Sequence, residues 1–586
     1  MNMHPDYILN KVDSPADLKS LSFEELSRIP DEMRRLVLEK DAAVGGHVGP
    51  NLGIMEVTTA FHYVFNAPED KIVFDVSHQS YGHKMLTGRK QAFLDPEHYG
   101  DVTGYTNPNE SPYDYFTVGH TSTSVSLATG LAMGRDLLDG NENIVAVIGD
   151  GSLSGGLAFE GFSNAAVLSS NLIIVINDNQ MSIDENKGGL YRALKELRDT
   201  DGRSENNVFK AMGFEYHYLD DGNDLKKTID LFRQVKDIDH PVVLHVNTLK
   251  GKGYRPAEEH KMEFHWHMPW NLETGASADG EKVRGWSDVV LDVLEDELQA
   301  GAPLMAINAA IPGAFGLKKF EAVHPDNYLD VGIAEQHSLT VAAGMAKEGA
   351  RPVVFQNSTF LQRAYDQLSH DIALNDLPVV MLVYGGNSNT NSNTHLGMFD
   401  IPFVASVPNV KYLVPSSEEE LRFMLKYALK QTDHPVAIRI PAGPVRHNDE
   451  PASLHYRTVR DGSGVALVAL GQFVALAEQA ADIMSARGIS PLVVNPLSVT
   501  EFGMNDLNAV TERCRVVITL EDGSLDGGFG QRIAALLGPS GVRVITLGAK
   551  KGFPDMIPTA KLHEMYGLLP EQIADTAERT LEGAGR

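Results

Sequence analysis

The sequence predicts an α/β protein with three domains, each built on a mainly parallel sheet. Short runs of consecutive apolar residues recur along the chain, and segments with apolar residues at helical spacing lie between them. Continuous apolar runs are typical of parallel strands, because helices cover both faces of such a sheet. A chain of 586 residues is also longer than one ordinary domain, so several cores are expected.

Composition narrows the class of protein. The net charge of −28 argues against nucleic acid or an anionic membrane as the main partner, since both favour basic surfaces. No apolar run reaches the roughly 18 residues typical of a transmembrane helix, and the N-terminal residues lack a signal-like pattern. Cys514 is the only cysteine, which excludes an intrachain disulfide and suits a reducing compartment. We therefore expect a cytoplasmic enzyme that acts on small molecules.

A polar, glycine-containing stretch at 270–285 predicts a linker. We expect a first domain at 1–269, a second at 286–452 and a third at 453–586. Apolar runs that predict strands in these domains lie at 241–246, 353–356, 378–384, 464–470, 491–495, 516–520 and 542–547. The charged, glycine-containing segment 186–207 is expected to form a mobile loop.

Two loops carry the most informative chemistry. The apolar run 144–148 leads into Gly149–Gly151 (Gly-Asp-Gly), and the run 172–176 leads into Asn177–Met181 (Asn-Asp-Asn-Gln-Met). Residues 155–168 have helical spacing, so the segment predicts a strand–helix–strand unit. Ligands of parallel sheets bind beyond the carboxyl ends of the strands, which is where both loops are expected to lie.

These loops offer oxygen ligands for a metal ion. Asp150 can supply a carboxylate oxygen, Asn179 an amide oxygen and Met181 a backbone carbonyl, and this set suits Mg²⁺. Gly151 allows a diphosphate to approach the backbone closely. A lone Gly-Asp-Gly is also an ordinary strand-to-helix turn. The second loop at this separation makes the pair similar to the metal–diphosphate signature of thiamine diphosphate enzymes.

The segment Tyr328–His337 places one carboxylate, that of Glu335, at the end of an apolar run. Thiamine diphosphate requires a carboxylate beside N1′ of its aminopyrimidine. Apolar surroundings raise the pKa of a glutamate, as sharing a proton with that nitrogen requires. A glutamate at the start of a helix is also a common favourable partner of the helix dipole. The residues alone leave both interpretations open.

The chain as a whole resembles the 1-deoxy-D-xylulose-5-phosphate synthase family, in the transketolase-like branch of thiamine diphosphate enzymes. The resemblance rests on segments in family-like order and separation: 75–84, 118–124, 149–151, 177–181, 251–258, 264–265, 333–337 and 358–366. It implies a transketolase-like architecture with a pyrophosphate-binding domain, a pyrimidine-binding domain and a transketolase-type C-terminal domain. It also implies thiamine diphosphate and Mg²⁺ as cofactors and a homodimer as the assembly.

The resemblance also implies roles for individual residues. It assigns Mg²⁺ to Asp150, Asn179 and Met181. The residues that it places around thiamine diphosphate are His78, His120, Ser122, Gly151, Ser152, Asn179, Glu335 and Phe360, with Phe360 stacked on the pyrimidine ring. The catalytic residues that it implies are Glu335, His47, His265 and His395, the histidines as proton donors or as groups that orient the substrate. The sequence does not decide between His265 and the nearby His267.

The family's usual side chains for the phosphate and hydroxyls of the acceptor are altered in this chain. Gly385 and Ala442 stand where the family has arginines. Asn391 stands nearest to a family aspartate, and Asn357 replaces a tyrosine. Arginine meets phosphate oxygens through paired hydrogen bonds, which glycine and alanine cannot make. The candidates that remain for substrate contacts are Arg363, Asn357, Asn391 and Arg446, and the polar run 387–394 is either a pocket for sugar hydroxyls or a flexible loop.

The resemblance implies an enzyme that decarboxylates a 2-oxo acid, pyruvate, and joins the remaining fragment to an aldehyde. In the strict form the acceptor is D-glyceraldehyde 3-phosphate, the product is 1-deoxy-D-xylulose 5-phosphate and the pathway is isoprenoid biosynthesis. The alternatives are a carboligase with a different acceptor, phosphorylated or not, a transketolase-type ketol transfer, and a non-catalytic paralogue. Loss of the two arginines favours the first alternative, whereas the presence of Glu335, Asp150 and Asn179 argues against the last.

Overall fold

The structure is a computed structural model that describes residues 4–277, 283–386, 392–449 and 452–584. The described chain divides into two compact units. The first comprises Met1–Lys282 with Gly332–Ala334, and the second comprises Val283–Val331 with Glu335–Arg586. Both units are built from mainly parallel strands covered by helices, as the continuous apolar runs predict.

Among its described residues, the first unit has one five-stranded sheet in which all neighbouring strands are parallel. Its strands are β1 (Lys71–Phe74), β2 (Ile144–Gly149), β3 (Leu172–Asp178), β4 (Glu215–Leu219) and β5 (Pro241–Asn247), in the spatial order β1-β2-β3-β5-β4. Val145 and Val147 of β2 join the core on one face of the sheet, whereas Ile144 and Ile148 join the core on the other. The strand is apolar throughout because both of its faces are buried.

The helices of the first unit form a layer on each face of this sheet. They are α1 (Pro15–Lys19), α2 (Phe23–Leu26), α3 (Ile29–Val44), α4 (Val48–Val64), α5 (Tyr81–Lys84), α6 (Gln91–Leu94), α7 (Ser124–Leu137), α8 (Gly156–Ala165), α9 (Gly189–Asp199), α10 (Val208–Met212), α11 (Leu225–Val235) and α12 (Arg255–Glu259). Residues of α3, α4 and α11 belong to one core cluster, and residues of α7 to α10 belong to the other.

In the part of the second unit that the structure describes, a six-stranded parallel sheet comes first along the chain. Its strands are β6 (Leu304–Asn308), β7 (Tyr328–Asp330), β8 (Arg351–Asn357), β9 (Val380–Tyr384), β10 (Lys411–Leu413) and β11 (Val436–Arg439), in the order β10-β11-β9-β8-β6-β7. Its helices are α13 (Trp286–Gln299), α14 (Leu317–Val323), α15 (Glu335–Lys347), α16 (Ser358–Leu361), α17 (Asp400–Ala405) and α18 (Glu418–Lys430).

A second sheet of this unit follows, again five-stranded over the described residues. Its strands are β12 (Arg457–Arg460), β13 (Gly464–Ala469), β14 (Leu492–Asn495), β15 (Cys514–Ser524) and β16 (Arg543–Ala549), in the order β12-β14-β13-β15-β16. Its helices are α19 (Phe473–Ala486), α20 (Met504–Thr511), α21 (Phe529–Leu537), α22 (Thr559–Tyr566) and α23 (Pro570–Ala584). Only the edge strand β12 runs antiparallel to its neighbour within the described sheet.

The predicted fold class, α/β with mainly parallel sheets, is confirmed. The expected loop at 186–207 is wrong, because α9 occupies Gly189–Asp199 and buries Leu194 and Leu197 against the sheet core. The domain limits expected from the sequence stay predictions. Within the described ranges, no helix combines the length and the apolar character that crossing a lipid bilayer requires.

Candidate active site

Strand register brings the two predicted metal loops to one edge of the first unit's sheet. β2 and β3 run parallel, and their pairing sets Gly149 opposite Asn177. The chain therefore leaves both strands at the same level, at their carboxyl ends. A Cβ on Gly151 would lie 2.6 Å from the Cβ of Ser182, so glycine is what allows the two loops to approach this closely.

The Asp150 carboxyl lies at the centre of this edge and is almost completely buried, at 1% exposure. Asn186 Nδ2 donates a hydrogen bond of 2.7 Å to Asp150 Oδ2. Burial, followed by the charge of Asp178, raises the pKa of Asp150 well above its usual range. A buried carboxylate in this position is costly unless a cation balances it. The environment of Asp150 therefore fits a metal ligand.

Asp178, the last residue of β3, anchors the second loop, a role that sequence reasoning did not assign to it. It accepts hydrogen bonds from His245 Nε2 at 2.7 Å and from Arg198 Nη1 at 2.5 Å. Burial opposes ionisation, but the His245 and Arg198 contacts outweigh it and lower the pKa of Asp178. Asp178 is thus ionised and fixes the start of the loop. Its position in the Asn-Asp-Asn run is the feature of the sequence that could have indicated this role.

The other two predicted ligands, Asn179 and Met181, lie just after Asp178 in the chain. Asn179 is buried, and its Oδ1 accepts the Met181 N–H at 3.3 Å. Together with Asp150 they offer a carboxylate, an amide oxygen and a backbone carbonyl. No group of three His, Cys, Asp or Glu side chains that could hold a metal occurs among the described residues. The mixed oxygen set fits Mg²⁺, which uses few protein carboxylates and completes its octahedron with phosphate oxygens and water.

A second buried carboxylate, which sequence reasoning missed, fixes the loop before α7. Asp75 accepts the Ser122 N–H at 2.7 Å and the N–H groups of the next two residues at 2.9 Å each. Ser122 has a φ of 70°, and its hydroxyl donates to the Ser152 carbonyl at 2.8 Å. Asp75 therefore fixes Ser122, which in turn contacts Ser152. The loop before α7 also carries His120. The feature of the sequence that could have revealed this role is an acidic residue directly after the apolar strand β1.

Three of the predicted histidines form one cluster in the first unit. The ring centroids of His47 and His78 lie 5.2 Å apart, those of His78 and His265 lie 5.2 Å apart, and those of His47 and His265 lie 6.0 Å apart. Asn51 Nδ2 donates to the His47 and His78 carbonyls at 2.7 Å each, which holds their backbones together. Tyr105 packs edge-on against His47, with centroids 5.6 Å apart.

Lys250 joins this cluster, although sequence reasoning gave it no role. Its side chain is buried, its Nζ lies 3.1 Å from His265 Nδ1, and it donates to the Ser182 carbonyl. Burial lowers the pKa of Lys250 to about 7, although the charge of Asp150 opposes this. Burial, followed by Lys250, lowers the pKa of His265 well below its usual value, so its imidazole is neutral. Lys250 thus connects the histidine cluster to the metal loop.

The two neighbouring histidines of the segment 265–267 have different surroundings. His265 faces His47 and His78. His267 is buried against Phe264, with ring centroids 4.6 Å apart, and its Nδ1 lies 2.5 Å from the Met268 carbonyl oxygen. The contacts place His265 in the cluster and give His267 a packing role.

A cavity of about 830 Å³ opens beside Asp150 and Met181. Arg192, Lys195 and Lys261 line it, as does the start of α9. Basic side chains and a helix N-terminus both favour anions. This edge of the first unit is therefore suited to hold a metal together with a diphosphate.

In the second unit, Glu335 begins α15 and is buried, at 4% exposure. Burial raises the pKa of Glu335, and Arg363 opposes the rise, with its Nη1 3.6 Å from Glu335 Oε2. A carboxyl of this kind is suited to share a proton with a ring nitrogen. Arg363, predicted as a substrate contact, therefore also tunes Glu335.

Phe360 lies on α16, which is fixed at its N-terminal end by two hydrogen bonds. Asn357 caps the helix, because its Oδ1 accepts the Thr359 N–H at 3.1 Å. Ser358 Oγ donates to the Gly397 carbonyl at 3.0 Å. Asn357, predicted as a substrate contact, thus positions the helix that carries Phe360.

His395 packs edge-on against Phe360, with ring centroids 5.6 Å apart and an interplanar angle of 88°. Its Nδ1 lies 2.8 Å from Thr394 Oγ1, which in turn lies 2.7 Å from Ser392 Oγ. Burial, followed by Arg363, lowers the pKa of His395 to about 4, so its ring is neutral near pH 7.

The two positions at which the family resemblance leads us to expect arginines, 385 and 442, have different surroundings. Gly385 has a φ of 65°, and a Cβ there would lie 3.2 Å from Asn357 Nδ2. Ala442 is exposed, and its N–H donates to Gln472 Oε1 at 2.9 Å. Arg446 is also exposed and pairs with Glu478 at 3.0 Å. Asn391, and with it most of the predicted 387–394 run, lies outside the described residues.

Comparisons with known families cover most of the chain. Residues 9–205 and 200–248 match the family model described as 1-deoxy-D-xylulose-5-phosphate synthase. Residues 282–447 match the transketolase pyrimidine binding domain, and residues 455–573 match the transketolase C-terminal domain. A solved transketolase mutant from Pichia stipitis aligns with a TM-score of 0.43 and 16% identity, covering 95% of this chain and 97% of that one.

Curated relatives match along their whole length. The 1-deoxy-D-xylulose-5-phosphate synthase of Thermomicrobium roseum is 39% identical, over 99% of this chain and 98% of its own. The enzyme of the same name from Halothermothrix orenii is 37% identical, over 98% of each chain. That from Symbiobacterium thermophilum is 38% identical, over 98% of this chain and 95% of its own. Identity at this level over nearly complete chains shows that this chain belongs to the 1-deoxy-D-xylulose-5-phosphate synthase family.

Proposed function

We propose that this protein condenses pyruvate with D-glyceraldehyde 3-phosphate to give 1-deoxy-D-xylulose 5-phosphate and CO₂, a reaction of isoprenoid biosynthesis. The observation that carries the proposal is the register of β2 and β3, which sets the Asp150 and Asn179 loops at one sheet edge. The names of the full-length relatives support this reaction over the other acceptors and over ketol transfer.

The predicted cofactor residues have the following roles under this proposal. Thiamine diphosphate, when bound, would supply a nucleophilic carbon for the pyruvate ketone and an electron sink for the decarboxylation. Asp150, Asn179 and the Met181 carbonyl hold Mg²⁺ in the first unit. The residues that contact the diphosphate and thiazolium are His78, His120, Ser122, Gly151 and Ser152. In the second unit Glu335 shares its proton with the aminopyrimidine, and Phe360 packs on that ring.

The remaining predicted residues act on the substrates. His47, His265 and His395 donate hydrogen bonds to substrate oxygens as negative charge develops on them. In the neutral rings of His265 and His395, Nδ1 lies beside a neighbour, Lys250 or Thr394, and we propose that Nε2 donates to the substrate. The groups proposed to contact the aldehyde are Arg363, Asn357, Asn391 and Arg446.

The proposal includes a cytoplasmic homodimer with domains at 1–269, 286–452 and 453–586, joined at 270–285. The single cysteine supports a reducing compartment. The family matches that end at 248 and 447 and begin again at 455 support the domain limits. Light scattering of the purified chain tests the dimer, because a monomer would contradict it.

The test of the reaction is ¹³C NMR of the purified protein with [3-¹³C]pyruvate, D-glyceraldehyde 3-phosphate, thiamine diphosphate and Mg²⁺. We expect the labelled methyl group to appear in 1-deoxy-D-xylulose 5-phosphate, and the signal to disappear when EDTA removes the metal. A loaded enzyme that consumes no pyruvate, or that releases CO₂ without using the aldehyde, would contradict the proposal.

A further inference from the structure

A short series of hydroxyl groups leads to one ring nitrogen of His395. Ser392 Oγ lies 2.7 Å from Thr394 Oγ1, and Thr394 Oγ1 lies 2.8 Å from His395 Nδ1. Ser392 is buried, at 8% exposure, and the His395 ring packs edge-on against Phe360. We call Ser392, Thr394 and His395 the hydroxyl relay. It belongs entirely to the second unit.

One backbone contact shows how hydrogen bonds can run through this relay. The Thr394 N–H donates to Ser392 Oγ at 3.1 Å. A hydroxyl oxygen that accepts one hydrogen bond can donate its own proton to a second partner. In the order that we infer, Ser392 donates to Thr394 Oγ1 and Thr394 donates to His395 Nδ1. In that order Nδ1 is an acceptor, and the ring carries its proton on Nε2.

The backbone of the relay is anchored within the segment and just beyond its C-terminal end. The Asn393 N–H donates to Asp555 Oδ1 at 3.0 Å, and the His395 N–H donates to the Ser392 carbonyl at 3.2 Å. Beyond the relay, the Gly397 carbonyl accepts from Ser358 Oγ at 3.0 Å. The hydroxyls are therefore held in place before any ligand binds, which is what a positioning role requires.

We propose that Ser392 and Thr394 are positioning residues that hold His395 as the Nε2–H tautomer, so that it donates a hydrogen bond to an oxygen of the aldehyde substrate. This inference rests on the proposed function, which gives His395 its substrate contact. The low pKa of His395 agrees with it, since a neutral ring carries one proton and the relay decides which nitrogen holds it.

Steady-state kinetics of matched variants test the relay. Thr394→Val keeps the shape but removes the hydroxyl, and we expect kcat/KM for the aldehyde to fall about 10-fold or more, with thiamine diphosphate affinity unchanged. Thr394→Ser keeps the hydroxyl and should stay close to wild type, and Ser392→Ala should fall less than Thr394→Val. Thr511→Val is the matched control, because the Thr511 hydroxyl only donates to the Asn508 carbonyl within its own helix.

A double-mutant cycle adds a readout that loss of packing would not reproduce. Glutamine at position 395 retains an N–H donor near the place of Nε2 and has no Nδ1 to be held. Thr394→Val should therefore have little further effect in the His395→Gln background. Equal losses in Thr394→Val and Thr394→Ser, or additive losses in the cycle, would overturn the proposal.

A measurement without turnover separates this proposal from the proposed function. In protein labelled with ¹⁵N-histidine, the His395 signals are those missing from His395→Gln. We expect the Nε2–H pattern in wild type and a mixture of tautomers in Thr394→Val. A wild-type Nδ1–H pattern would overturn the relay. The expected patterns in a protein that makes no product from any aldehyde would overturn the proposed function and support the relay's control of the tautomer.

Discussion

The metal edge of the first unit and the altered acceptor positions 385 and 391 of the second unit differ in how far the sequence keeps the groups expected from the family. At the metal edge, hydrogen bonds hold the predicted groups: Asn186 donates to Asp150, and the buried Asp75 accepts from Ser122. At the acceptor positions, Gly385 and Asn391 stand where the family has charged side chains, and Gly385 has a backbone conformation that favours glycine.

The comparison teaches that cofactor binding and acceptor binding depend on different features of the chain. The cofactor groups depend on strand register and on buried charges that support one another, so a single change there affects several neighbours. The acceptor side includes exposed positions, Ala442 and Arg446, whose side chains can be exchanged without disturbing a sheet. The following predictions test whether the two regions respond differently to substitution.

The largest effect is expected from Glu335→Gln. Glutamine keeps the shape of this buried side chain but cannot share a proton with the cofactor, so turnover should fall about 10²- to 10⁴-fold. Initial rates of product formation and the dissociation constant of thiamine diphosphate are the measurements. The exposed Glu348, just beyond α15, gives the control Glu348→Gln. Turnover of Glu335→Gln close to wild type would show that Glu335 has no catalytic role.

Asp150→Asn should weaken Mg²⁺ binding by about 10- to 100-fold or more, because it removes the only charged ligand of the proposed set. The stability of the metal-free protein should not fall, since burial of that carboxylate is itself unfavourable. Metal titrations followed by activity give the Mg²⁺ affinity. Melting curves with and without Mg²⁺ give the stability of the metal-free and loaded protein. The exposed Asp139 gives the control Asp139→Asn. Unchanged metal dependence would contradict the assignment.

Lys250→Met should change how stability depends on pH. The pKa of Lys250 is lowered from 10.5 to about 7 in the folded protein, so the unfolded chain binds more protons between these values. Wild-type stability should therefore rise from about pH 7 towards pH 10.5 relative to the variant. The measurement is the unfolding free energy of wild type and variant across this pH range. Lys561 is exposed, and Lys561→Met is the control. Parallel pH curves would contradict the buried, neutralised lysine.

Restoring the family's arginine at position 385 should destabilise the second unit. Gly385→Arg forces a side chain into a left-handed conformation beside Asn357, which costs about 1–2 kcal/mol. Gly385→Ala should cost a similar amount, since the cost comes from the Cβ. Ala442→Arg, at an exposed position, should stay within about 0.5 kcal/mol of wild type. Calorimetry of the three variants measures the change in stability. A Gly385→Arg variant as stable as wild type would contradict the expected cost of the left-handed conformation.

Much of the fold and of the cofactor site could be predicted because both follow from local patterns. Continuous apolar runs predict buried parallel strands, and the loops that follow them lie at one edge. Asp75 and Lys250 were missed because their roles depend on partners distant in sequence, Ser122 and His265. Segment 186–207 was misassigned because its charged residues obscured the buried positions Leu194 and Leu197 of α9.

The most direct test of the account offers D-glyceraldehyde 3-phosphate and D-glyceraldehyde together to the loaded wild-type enzyme with pyruvate, and identifies the products by NMR. We expect 1-deoxy-D-xylulose 5-phosphate to form preferentially, which would mean that other groups bind the phosphate without arginines at 385 and 442. Preferential formation of the unphosphorylated product, or CO₂ release with neither aldehyde used, would contradict it.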